Sequence, residues 1–189
     1  MARGKDKARA KWSEIKRALK DWGQPGLMGL IRELFEFSGE NRAFLAARLL
    51  NDSGETAPIE AYRRRVTEAF YPAKSRFPKG DPKLAEARKA IRDYEKASGD
   101  MPGALDLMLA YVETGTDFTR DFGDMYEGYY DSLCSVLGEF LRRLASPEGR
   151  QFKEQFRERL VALADNAKGI GWGYGDYVCE RVGKLTGRA

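Results

Sequence analysis

The 189-residue sequence contains no histidine. That absence removes Ser–His and Cys–His nucleophile pairs, histidine zinc sites and imidazole proton shuttles together. Its two cysteines, Cys134 and Cys179, are too few for a four-thiolate metal site. Both sit in apolar helical patterns and read as reduced core residues of a cytoplasmic protein, with a disulfide between them as the alternative. No apolar run approaches the roughly 18 residues that cross a bilayer. The basic start "MARGKDKARAKW" is followed by no apolar core, so no secretory signal is expected. These absences predict a cytoplasmic chain without a membrane partner. Chemistry on carboxylates, lysine, tyrosine or an oxygen-held hard metal remains open. No catalytic motif is recognisable, so the chain is read as non-enzymatic, with no catalytic residue, cofactor or resident metal assigned.

β-Branched residues are also scarce: valine, isoleucine and threonine number 6, 5 and 6, against 22 alanines and 18 leucines. Because β-branching stiffens a side chain against the preceding helical turn, this balance favours helix over strand. Prolines punctuate the pattern. Pro25, Pro58, Pro82, Pro102 and Pro147 each precede a helix-patterned run, the position where a missing N–H costs nothing. Asp81 and Ser146 read as N-caps beside two of them. Helices are predicted near 8–22, 26–37, 39–51, 57–71, 82–97, 102–122, 125–145, 147–167 and 174–185. In the fifth, Leu84, Ala87, Ile91 and Tyr94 recur at helical spacing, and in the fourth Ile59, Tyr62, Val66, Ala69 and Phe70 do so. The fold class is therefore all-α: a multi-helix bundle, or a short α-solenoid of antiparallel hairpins, in one domain with a basic arm at 1–12. "KGIGWGYGDY" lacks both the preceding strand and the spacing of a phosphate loop, and reads as a turn with Trp172 and Tyr174 packed down.

Charge is unevenly spread. Residues 1–20 hold eight basic and two acidic residues, a balance of +6, although the whole chain carries only +4. The stretch "VETGTDFTRDFGDMYEGYYD" carries Glu113, Asp117, Asp121, Asp124, Glu127 and Asp131 at steps of three and four, one helical face. The wheel over 105–122 is apolar across more than half its circumference, which marks a helix central to the fold with one strip left to water. Gly123 is a natural helix stop, after which Asp124 and Glu127 read as an N-cap and its capping-box partner. Glu113–Asp117 and Asp117–Asp121 are like-charge neighbours that cost about 0.2–0.5 kcal/mol each. Three readings follow: a solvated face paired internally, a docking face of Glu113, Asp117 and Asp121 for a basic partner, or an oxygen-ligand metal site on the same three.

Two stretches suit phosphate contact. Residues 63–83 hold Arg63, Arg64, Arg65, Lys74, Arg76, Lys79 and Lys83 against Glu68 and Asp81, interleaved with aromatics. The N-terminal arm adds Lys5, Lys7, Arg9 and Lys11. Against a nucleic-acid role, Glu60–Arg64 and Arg64–Glu68 are ordinary i,i+4 pairs.

The runs "LFEFSGENRAFLAARLL", "ARKAIRDYEKASGD" and "LMLAYVETGTDFTRDFGDMYEGYYDSL" resemble, in order, a family of small bacterial proteins that is defined only as a domain of unknown function. The resemblance covers about residues 30–135 and implies an all-helical fold; it supplies no activity, cofactor or partner. Among its shared positions, Ser38 reads as an N-cap with Asn41 at N3. Arg48 is expected to reach Glu113 and lock two helices together. The lead expectation is a non-catalytic interaction or scaffold module that binds another protein through charged faces. The alternatives are a nucleic-acid-binding accessory subunit and a carboxylate-metal hydrolase.

Overall fold

The computed structural model describes residues 10–50, 57–71 and 81–187, which hold nine α-helices and no strand. They are α1 (Trp12–Ala18), α2 (Gln24–Phe37), α3 (Gly39–Leu49), α4 (Ala57–Phe70), α5 (Leu84–Ser98), α6 (Met101–Phe122), α7 (Glu127–Leu144), α8 (Lys153–Ala167) and α9 (Tyr174–Thr186). Each helix overlaps a predicted one, although α1 begins only at Trp12 and α8 only at Lys153, later than the spacing suggested. The chain divides into two compact units, up to Arg42 and from Ala43 onward, with the boundary inside α3.

In the second unit α6 is the axis of a bundle. It packs on α4, α5, α7 and α8, and α9 closes on α7 and α8. Thirteen of its 22 residues are buried, as the wide apolar arc predicts. Leu105, Leu107 and Leu109 are fully buried, each contributing about 2–3 kcal/mol of transfer free energy. The faces read from the sequence turn inward: Tyr62, Val66, Ala69 and Phe70 from α4, and Ala87, Ile91 and Tyr94 from α5. Phe70 lies edge-on to Tyr111 and Tyr129 at the centre of an aromatic core. Buried tyrosines keep their hydroxyls paired: Tyr129 Oη donates to the Gly115 carbonyl at 2.6 Å, and Tyr174 Oη lies 2.6 Å from Thr116 Oγ1. Gly115 is required here, because a Cβ would run into Leu133.

Helix ends follow local chemistry. Asp100 caps α6 by accepting the Gly103 N–H at 3.1 Å, while its other oxygen takes the Tyr94 hydroxyl at 2.5 Å. Gly123 ends α6 at φ +90°, backbone that glycine adopts without strain. Asp81 and Ser146 lie further out than expected. Lys83 occupies the N-cap of α5. Ser146 Oγ accepts the Gly149 N–H at 3.1 Å and so caps a turn, after which a 3₁₀ segment, Arg150–Phe152, leads into α8.

In the first unit α1 and α2 contain no buried residue. Glu14 accepts the Lys11 N–H at 2.9 Å to start α1, and Pro25 opens α2. Ser38 Oγ accepts the Asn41 N–H at 3.1 Å, the cap expected at the start of α3.

Candidate functional site

The acidic strip resolves into separately employed residues. Glu113 accepts from Arg159 Nε at 2.9 Å and from Nη2 at 2.6 Å. Arg159 Nη1 also donates to Asp106, whose second oxygen is taken by Arg63, and Arg63 Nε reaches Glu60 at 3.1 Å. Glu60, Arg63, Asp106, Arg159 and Glu113 thus alternate in sign across α4, α6 and α8. Burial works against the charge of Arg159, but Glu113 and Asp106 outweigh it and hold the guanidinium above its ordinary pKa. Asp121 accepts the Tyr71 hydroxyl at 3.0 Å. Burial first, then Asp121 and Asp117, push that phenol well above its usual range. Asp117 stays exposed, yet partial burial raises its pKa, and Asp121 and Glu113 add to this against the opposing pull of Arg120. Glu113, Asp117 and Asp121 therefore share a helix face without converging. Among the described residues no three acidic or thiol groups come together as metal ligands, so this geometry gives the carboxylate-metal reading no site.

Two expectations about this region are corrected. Arg48 does not reach Glu113: its Nη1 donates to the Ala97 carbonyl at 3.3 Å, in the last turn of α5. Carbonyls at a helix end lack intrahelical partners and attract cationic donors, whereas Glu113 is already held by Arg159. Nor does Asp124 cap α7, whose N-cap is Tyr126. Asp124 instead accepts the Tyr130 hydroxyl at 2.6 Å, and Gly171 lies so close that a Cβ there would meet the carboxylate at 2.8 Å. Tyr174 packs inward as expected, but Trp172 is exposed and sits at φ +56°.

The basic patch is partly internal as well. Arg63 is committed to Asp106 and Glu60, and Arg65 pairs with Asp93 at 2.8 Å over the Tyr62 ring. Glu60 thus selects Arg63 rather than the expected Arg64, which is exposed. Lys83 pairs with Glu86 at 3.2 Å. Lys11 is exposed at the start of α1. Lys5, Lys7, Arg9, Lys74, Arg76 and Lys79 lie outside the described residues. Cys134 and Cys179 are free thiols, and burial followed by Asp131 pushes Cys134 up to about 11.

What the charge-based reading missed is apolar. Of the fifteen large apolar side chains exposed among the described residues, nine fall between Trp12 and Phe37. Trp12 is 71 % exposed and Phe37 85 %. A groove of about 610 Å³ is lined by Trp12, Leu19 and Leu27 together with Ser13, Lys16, Arg17 and Lys20. The signal was present in the sequence: at 100° per residue the apolar positions of α2 fill half its circumference, yet they include no buried residue. Compared with family models, curated proteins and solved structures, the chain matches none.

Proposed function

We propose that this protein is a non-catalytic helical interaction module that docks a macromolecular partner through the apolar surface of residues 12–37. One observation carries the reading: α1 and α2 bury nothing, although they present Trp12, Met28, Ile31, Leu34 and Phe35 to solvent. Full burial of such a side chain contributes about 1.5–3 kcal/mol, and the part of each left wet forgoes its share of that; contiguous exposed apolar surface marks interaction sites. The charged faces take a lesser part than the sequence alone suggested. Glu113 and Asp121 are satisfied within the chain, and Arg63 and Arg65 are held by carboxylates. Those two charged faces are left to steer approach rather than to supply the contact.

The test is the full chain carrying Ile31→Asp and Leu34→Asp, purified beside the unaltered protein from the source cell. Because neither side chain lies in the core, melting temperature should hold within about 2 °C, while the co-purifying partner, protein or lipid, is lost. Unchanged partners overturn the proposal. So does a large fall in melting temperature, which would mean that the chain packs this face internally.

A further inference from the structure

We propose that the partner of residues 12–37 is the surface of an anionic lipid bilayer, with α1 and α2 lying in the interface plane. This rests on the docking reading above and names its occupant. Trp12, Ile15 and Leu19 recur at steps of three and four and form one stripe along α1 and its C-cap, and Trp22 is exposed in the segment that follows. Lys16, Arg17 and Lys20 fall outside that stripe, and their long stems can lie along apolar surface while the charges reach outward. Apolar helical faces edged by tryptophan and cations match the bilayer interface, where indole rings sit at headgroup depth and lysines meet lipid phosphate. No described helix is long and apolar enough to cross a membrane. This occupant departs from the expectation of no membrane partner: a helix lying flat on a bilayer needs no span.

Breadth and charge separate this occupant from the others. The groove takes only Leu27 from α2, and Ile31, Leu34 and Phe35 stay exposed outside it. A bilayer interface can take up apolar side chains that an occupant of the groove alone does not reach. A second copy of the chain would oppose the same cations, in a segment whose first twenty residues carry +6. An anionic surface takes up that charge.

The experiment is flotation of the full chain with vesicles of phosphatidylcholine, alone or with a third phosphatidylglycerol, at low and high salt. Bound protein should rise at least about tenfold with the anionic lipid and fall as salt is added. The variant Lys16→Glu/Arg17→Glu/Lys20→Glu should lose at least about tenfold of that binding, and Leu34→Asp/Phe35→Asp should lose as much. Lys16→Gln/Arg17→Gln/Lys20→Gln, with far-UV circular dichroism on all variants, covers the chance that charge reversal unfolds α1. Equal binding to both vesicle types, or none, overturns the inference. Light scattering that shows a dimer dissociated by Leu34→Asp/Phe35→Asp makes the occupant a second copy; the lipid inference then fails and the docking reading stands. Oligonucleotide binding lost with the lysines but kept in Leu34→Asp/Phe35→Asp overturns both.

Discussion

Arg159 holds two carboxylates of α6 that lie seven residues apart, and each has only limited access to water: the side chains of Asp106 and Glu113 are 15 % and 28 % exposed. Arg159→Ala leaves both without their shared cation and should cost about 2–3 kcal/mol by denaturant titration, below the value for a fully buried pair because the site is partly wet. A double-mutant cycle of Arg159→Ala with Glu113→Ala should show coupling, and one of Arg48→Ala with Glu113→Ala should show none. Asp117 behaves oppositely. Its folded pKa is raised, so the favourable protonated state is present in full below the unfolded value and lost as pH rises through the folded one. At neutral pH ionised Asp117 therefore opposes folding. Asp117→Asn should raise the melting temperature by about a degree or two at pH 7, and the gain should vanish near pH 3.

At the scale of elements, Asp100 joins α5 to α6 through two bonds, one to the Gly103 N–H and one to the Tyr94 hydroxyl. Asp100→Ala removes a cap and the bond that the Tyr94 hydroxyl makes to it. It should cost about 1–2 kcal/mol, measured as a shift of the urea midpoint at constant slope. Which helices form was legible, because prolines, glycines and apolar spacing act within one turn of the residue concerned, but several starts were not: α8 begins at Lys153 rather than at Pro147. Pro102, Gly123 and the Leu84–Tyr94 pattern each placed an element without reference to the rest of the chain. Which charges meet was not legible. Arg159 and Glu113 are 46 residues apart, and their contact depends on how α8 is rotated against α6, which no local pattern encodes. Asp124 looked like a cap because the capping signature reads only the first turn, whereas the carboxylate is taken by the hydroxyl of Tyr130 six residues on and packs close to Gly171.

For the whole molecule, the two units differ in what holds them. The unit from Ala43 is built on α6 and a continuous apolar and aromatic core, while α1 and α2 contribute no buried residue. Segments with few buried contacts open at low free energy. Hydrogen exchange followed by mass spectrometry should therefore show amides of Trp12–Ala18 and Gln24–Phe37 exchanging orders of magnitude faster than those of Leu105–Phe118. Comparable protection would show that the N-terminal helices share the cooperative core. The distribution of aromatics gives this division a spectroscopic signature. All three tryptophans, Trp12, Trp22 and Trp172, are exposed, whereas the fully buried rings are tyrosines and phenylalanines. Native indole emission should therefore already sit at the red wavelengths of water-exposed tryptophan and move little on denaturation. Near-ultraviolet dichroism and absorbance from Tyr62, Tyr94, Tyr111, Tyr129 and Tyr174 should change as the core melts, so this protein's indoles report its surface and its phenols report its interior.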